Sequence, residues 1–135
     1  MSSILDFLRG AGAGALRLLG GWDNTLRLLV AMMAMDYVSG LIVAVLGKSP
    51  KTETGRVDSR AGLRGLLRKG LILMVLSVAA QIDATVDSAF VRAATAWFYI
   101  VNEAISIVEN AALAGLPLPQ KLLEVLGRQQ ETKEG

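Results

Sequence analysis

The sequence predicts an all-α membrane protein with about three transmembrane helices, preceded by an N-terminal amphipathic helix at the interface. Three observations carry that reading. The 135 residues are 53% hydrophobic and only 19% charged, with a mean hydropathy of +0.47, too apolar for an ordinary water-soluble domain. Apolar runs recur at lengths that suit a bilayer. The basic residues crowd into one connector, an asymmetry that orients multi-span chains.

Residues 1–25 form the first element. Ile4, Leu5, Leu8, Ala11, Ala15, Leu16, Leu18 and Leu19 share one side of a helical wheel, with Asp6, Arg9, Ala13 and Arg17 opposite. This pattern lies on a membrane surface or a partner rather than crossing, although a frayed leader would read similarly. Gly10, Gly12 and Gly14 each weaken it by about 1 kcal/mol relative to Ala. The start has no basic region ahead of an apolar core, so no signal peptide is expected. Trp22 reads as an interfacial anchor.

Residues 26–113 form the membrane domain, and the first span (TM1) covers 26–46. Asp36 is its one charge after Arg27, and it shares a stripe with Ser39, Gly40, Val43 and Gly47. An ionised carboxylate facing lipid costs at least about 3 kcal/mol, so the stripe should face protein or water unless local partners cap Asp36. Small residues on the stripe permit close helix approach. Met32, Met33, Met35 and Met74 read as packing or lipid-facing side chains, not ligands.

The connector, 47–69, holds Lys48, Lys51, Arg56, Arg60, Arg64, Arg68 and Lys69 against Glu53 and Asp58, which assigns it to the cytoplasmic side. Asp58 or Ser59 can cap a short helix from Arg60 onward, with Arg60, Arg64 and Arg68 along one side. Arg56, Arg60, Arg64, Arg68 and Lys69 are thereby expected at the membrane surface, each guanidinium on an anionic headgroup contributing about 1 kcal/mol. The connector has no aromatic residue and is flanked by spans, so no nucleic acid is expected as a partner.

The second span (TM2), 70–87, is the least comfortable, since its uncharged core from Leu71 to Ile82 covers only about 18 Å of a roughly 30 Å hydrocarbon layer. Either Arg68 and Lys69 snorkel, or Asp83 is neutral, partnered or in thinned bilayer. Gly70, Ser77, Ala80, Gln81, Ala84 and Ser88 form its small and polar stripe. The stretch 83–88 carries Asp83 and Asp87 but no Lys or Arg, so TM2 and TM3 should close as a hairpin on the outer side.

The third span (TM3), 89–113, carries Tyr99, Asn102, Glu103, Ser106, Glu109 and Asn110 within an arc of about 120°. Arg92 falls near the outer interface, and Trp97 and Tyr99 suit anchoring, packing or pore lining. Gly115, Pro117 and Pro119 stop the helix. Residues 114–135 read as a short cytoplasmic helix and a solvated tail bearing Lys121, Arg128, Glu131, Lys133 and Glu134. The expected location is the bacterial inner membrane, N-terminus outside, C-terminus inside, although Arg9, Arg17 and Arg27 weigh against that sense.

These residues also carry a family likeness. Asp36-Tyr37-Val38-Ser39-Gly40, then Ser59 and the run from Gly62 to Lys69, then the stretch from Asn102 to Asn110 followed by Gly115, Pro117 and Pro119, resembles the phage lysis and toxin-secretion holin family. The likeness runs from about Leu28 to Leu126, and the third block is its specific part. It implies a small inner-membrane protein that forms homo-oligomers and opens a lesion through which an endolysin or a large toxin leaves as cargo.

The residues themselves support a compatible chemistry. A monomer of three helices has little interior for three polar stripes, so oligomerisation is the economical expectation. Asn102, Glu103, Ser106, Glu109 and Asn110 would then bond to Asp36, Gln81 or copies of themselves, at about 0.6 to 2 kcal/mol per bond, or line water. Buried Asp36, Glu103 and Glu109 call for neutralisation or a cation such as Arg64 or Arg92. A narrow ion channel subunit and a structural or accessory membrane protein remain alternatives. Without cysteine or histidine, disulfides, thiolate nucleophiles, the usual zinc sites and imidazole chemistry are excluded. Asp36 and Asp83 fall near opposite ends of their spans and make no aspartyl dyad. The chain is therefore read as no enzyme, without catalytic, cofactor-binding or metal-ligating residues.

Overall fold

A computed structural model of the chain describes residues 2–125, and among these residues it is all-helical. The elements are α1 (Ser2–Leu18), α2 (Asn24–Val45), α3 (Ser59–Val86) and α4 (Phe90–Leu113), with a further helical stretch at 120–125. The charged tail around Arg128, Glu131, Lys133 and Glu134 lies outside the described residues.

Each boundary has a local cause. Asp23, in extended conformation, starts α2 by accepting a hydrogen bond from Leu26 N at 2.9 Å. Gly47, at φ +74°, turns the chain out of it. Asp58 caps α3 by accepting from Arg60 N at 3.0 Å. The short basic helix expected from Arg60 is not separate from the second span, because α3 runs unbroken through both. Nothing between Arg60 and Leu71 breaks a helix, and Gly70 only weakens one. At 28 residues, α3 is about 42 Å long. Asp87, at φ +54°, ends it.

The start of α4 has no side-chain cap from its own N-cap residue, Ala89. Asp83 of α3 supplies one from across the hairpin, accepting from Val91 N at 3.1 Å and Arg92 N at 2.7 Å. That answers what happens to the Asp83 carboxylate at the end of a short apolar run: it is buried and partnered. Beyond α4, Gly115 takes φ +95°, and Pro119 O accepts from Leu122 N at 3.0 Å as the 120–125 stretch begins.

α4 is the central helix, packing along α2 on one side and α3 on the other. α2 and α3 meet much less; Tyr37 of α2 lies against α3, where a Cβ on Gly62 would stand 3.2 Å from the hydroxyl and one on Gly65 3.6 Å from the ring. The bundle has two unlike halves. Away from the 46–58 connector, Leu26, Leu29, Met33, Ile72, Leu76, Ala96 and Ile100 form a dry core. On the connector side, the buried groups include Asp36, Glu103 and Asn110.

The exterior is apolar. Val38, Ile42 and Val45 of α2, Leu71, Met74, Val78 and Ile82 of α3, and Trp97, Phe98 and Val101 of α4 are all exposed. Such a continuous apolar coat suits lipid or a partner, not water. α2 and α3 are long and apolar enough to cross a membrane, whereas the polar side chains of α4 lower its hydropathy. None of α1 is buried; Gln81 Nε2 of α3 donates to Leu18 O at its end, at 3.2 Å.

Candidate functional site

The polar groups of the three long helices converge inside a single chain. Lys69 Nζ of α3 donates to Asp36 Oδ2 of α2 and to Glu103 Oε2 of α4, each at 2.8 Å. All three side chains are nearly excluded from solvent, at 13%, 10% and 6% exposure. With one ammonium between two carboxylates, the ionised cluster carries a net charge of −1. In a low-dielectric bundle, removing Lys69 leaves two buried carboxylates without their cation.

A second layer of hydrogen bonds holds Asp36. Asn110 Nδ2, seven residues beyond Glu103 on the same face of α4, donates to Ser39 Oγ at 2.8 Å and lies 3.3 Å from Asp36 Oδ1 and 3.4 Å from Asp36 O. Ser39 Oγ itself donates to Asp36 O at 2.9 Å. Gly40 leaves room beside this bond, since a Cβ there would stand 3.8 Å from Asn110 Nδ2.

A cavity of about 580 Å³ adjoins the cluster on the connector side. α2 contributes Asp36, Tyr37 and Gly40, α3 contributes Gly65, Arg68 and Lys69, and α4 contributes Asn102, Glu103, Ser106 and Glu109. Ser49, Lys51 and Thr52 of the connector close its end.

The structure thus brings Asp36, Ser39, Asn102, Glu103, Ser106, Glu109 and Asn110 into one half of the bundle, buried or half-buried. Gln81 is not among them: it is exposed and serves the end of α1. The small and polar stripe containing Gln81 is mostly an outer face, with Gly70, Ala84 and Ser88 exposed as well. Arg56 and Arg60 are exposed and stand apart from the cavity, while Arg64 and Arg68 are exposed side chains on its wall.

Two expectations about cations are corrected. Lys69 is no surface residue, and it, rather than Arg64 or Arg92, neutralises Asp36 and Glu103. The cause is helical phase: one 100° step beyond Arg68, Lys69 begins the stripe Lys69, Ile72, Leu76, Ala79, Ala80 and Asp83, whose other members are all buried. That spacing was the available signal. One chain also satisfies the polar stripes of α2 and α4 internally, which leaves the α3 stripe as the outward-facing one.

Arg92 instead builds a clamp at the opposite end. Its guanidinium donates to Leu19 O at 2.6 Å, Gly21 O at 3.1 Å, and the Asp23 carboxylate at 2.7 and 3.3 Å. Gly20, at φ +91°, lets the turn wrap this closely, because a Cβ there would stand 2.5 Å from Arg92 Nε. The hydrogen bonds from Arg92 hold the Asp23 carboxyl below the usual carboxylate range, against a smaller opposing effect of burial. Among the described residues no cluster of potential ligands suits a metal ion.

Comparison with known proteins follows the same segments. Residues 14–130 match the model of the bacteriophage holin family. An uncharacterized 14.9 kDa protein from the nagH 3′ region of Clostridium perfringens is 41% identical over 109 residues, covering 79% of this chain and 77% of that protein. An uncharacterized protein of Halalkalibacterium halodurans is 35% identical over 133 residues, 93% of each chain. A probable holin of Bacillus phage phi105 is 33% identical over 102 residues, 75% of this chain and 70% of the phage protein. No solved structure matches the chain.

Proposed function

This chain belongs to the bacteriophage holin family, and we propose that it acts as a holin: copies associate in the bacterial inner membrane and open a lesion that releases an endolysin or a large toxin. The family is not an enzyme family, and the role needs no cofactor. In this reading α2, α3 and α4 all cross the membrane, with the basic connector and the C-terminus in the cytoplasm and α1 on the outer interface. α4, at 24 residues, is about 36 Å long, enough to span. Its polar face turns to α2 and α3, leaving Trp97, Phe98 and Val101 for lipid.

The observation that carries the mechanism is the inward orientation of the charged cluster. An apolar exterior cannot line a water-filled lesion, so the state described here is the closed subunit. Opening must turn Asp36, Lys69 and Glu103 toward water. α3 is the element suited to move, because it packs less closely on α2 and α4 than they pack on each other, and in the polar half it is tied to both through Lys69. Hydration of the cluster offsets the loss of its buried ion pairs, whose net worth over solvated ions is small.

Leakage from induced bacteria tests this, following a small impermeant dye and a cytoplasmic reporter enzyme in parallel for the native chain and for Glu103→Ala. Release of both, retimed or abolished by the substitution, is the expected result. Dye entry without enzyme release would favour a narrow channel. A second reading, an accessory membrane protein, draws on the internal satisfaction of the polar stripes, and a membrane that stays sealed despite confirmed insertion would favour it.

A further inference from the structure

We infer that the cavity beside the charged cluster is a binding site for a phosphate ester anion, supplied by the headgroup of an inner-leaflet phospholipid. The inference rests on the spanning arrangement proposed above, but not on lesion formation.

The first observation is which of the charged groups lining the cavity already have partners. Its carboxylates are occupied: Asp36 and Glu103 by Lys69, Asp58 by the amide that starts α3, and Glu109 by a partner of its own. Its other cations are not. The side chains of Lys51, Arg64 and Arg68 line the same space and make no ion pair or hydrogen bond among the described residues. Three cations without an ion pair among the described residues therefore face the cavity.

The second observation is a hydroxyl without a partner. Thr52 Oγ1, on the cavity wall, is buried from solvent and has no hydrogen-bond partner, which costs about 1 to 3 kcal/mol unless something fills the space beside it. The cavity, at about 580 Å³, is of ligand size.

The chemistry of the ligand follows from the donors. Arg64 and Arg68 stand four residues apart, hence neighbours on one face of α3, and two guanidinium forks converging on one anion suit a phosphate with several acceptor oxygens. A lipid is the favoured source because the wall is amphipathic: Leu41 and Val57, both exposed, line the cavity beside the cations and adjoin the apolar exterior that acyl chains would cover. Basic pockets between spans on the cytoplasmic side hold anionic headgroups in this way.

The test reconstitutes the full chain in phosphatidylcholine vesicles and measures the preference for spin-labelled phosphatidylglycerol over spin-labelled phosphatidylcholine. The variants are Arg64→Gln/Arg68→Gln and, as a charge-matched control, Arg56→Gln/Arg60→Gln, whose side chains do not line the cavity. The native chain and the control should prefer phosphatidylglycerol, by about fivefold for each guanidinium engaged. The cavity variant should fall to near parity. Equal loss in both variants would mean diffuse surface attraction and overturn the site, as would no preference in an inserted native chain. Displacement of the labelled lipid by soluble glycerol phosphate would overturn the lipid source while keeping the phosphate chemistry. Flotation and resistance to alkaline extraction check insertion separately, and a chain that fails them overturns the spanning arrangement first.

Discussion

The Lys69 ammonium donates to Glu103 Oε2 across 2.8 Å and joins α3 to α4 inside a bundle whose outer surface is apolar. The same nitrogen serves Asp36 at an equal distance, so one cation ties three helices. The arrangement is asymmetric in charge as well as in place. It sets two carboxylates against one ammonium, and it sits in the polar half of the bundle, next to a cavity and away from the apolar core.

Removing the cation should therefore be the costliest single change in the polar half. Lys69→Met leaves Asp36 and Glu103 facing each other without compensation, and the closed bundle should lose about 3 to 5 kcal/mol. Thermal or denaturant unfolding of the vesicle-inserted protein reads this directly. The triple variant Lys69→Met/Asp36→Asn/Glu103→Gln should recover most of the loss, because no charge then remains buried. A Lys69→Met protein as stable as the native chain would show that the carboxylates do not depend on Lys69.

Glu103 should behave differently according to what replaces it. Glu103→Gln keeps the shape and removes the surplus negative charge, leaving Lys69 and Asp36 as a matched pair, so its stability should stay within about 1 kcal/mol of native. Glu103→Ala deletes the acceptor and leaves a gap, at a cost of about 1 to 3 kcal/mol. Parallel unfolding curves for the two variants separate these outcomes, and equal losses would mean that the charge itself matters to stability.

Much of this was legible in the residues. The polar arc of α4, the caps at Asp58 and the stop at Gly115 follow from periodicity and local backbone chemistry, which act within a turn or two of the helix. The partners did not follow so easily. Lys69 read as a surface cation because six other basic residues precede it in the connector region, and composition says nothing of helical phase. Arg92 likewise suited any nearby carboxylate until the turn at Gly20 and Gly21 was seen to fold around it. Convergence of the stripes within one chain depends on which helix lies in the middle, a tertiary fact that no single helix encodes.

The Arg92 clamp should loosen in acid. A carboxyl whose folded pKa is depressed contributes stability above its unfolded value, about 3.9 for Asp, and loses it as pH falls through the folded value. Protease cleavage near Gly20 and Gly21 should therefore be flat from neutral pH down to about 4 and rise severalfold below it, measured with an acid-active protease. The energetic effect is small, because half of the Asp23 side chain faces solvent. Asp23→Asn at neutral pH should reproduce the acid pattern, and an unchanged digest in that variant would remove Asp23 from the clamp.

The contact of Tyr37 with Gly62 and Gly65 allows a graded wedge between α2 and α3. A Cβ at position 65 meets the ring at an ordinary 3.6 Å, so Gly65→Ala should be tolerated or gain up to about 1 kcal/mol from better helix propensity. At position 62 the Cβ would stand 3.2 Å from the hydroxyl, so Gly62→Ala requires the tyrosine to shift by a few tenths of an ångström. Gly62→Leu cannot be absorbed that way and should destabilise the closed packing by about 1 to 3 kcal/mol. If separation of α3 from α2 is the opening step, Gly62→Leu should advance reporter-enzyme release in induced bacteria, whereas Gly65→Ala should not. Adding Tyr37→Ala to Gly62→Leu returns the lost space and should move both stability and release time back toward native. A delayed release in Gly62→Leu, with insertion intact, would instead mean that this contact must form for the lesion to open.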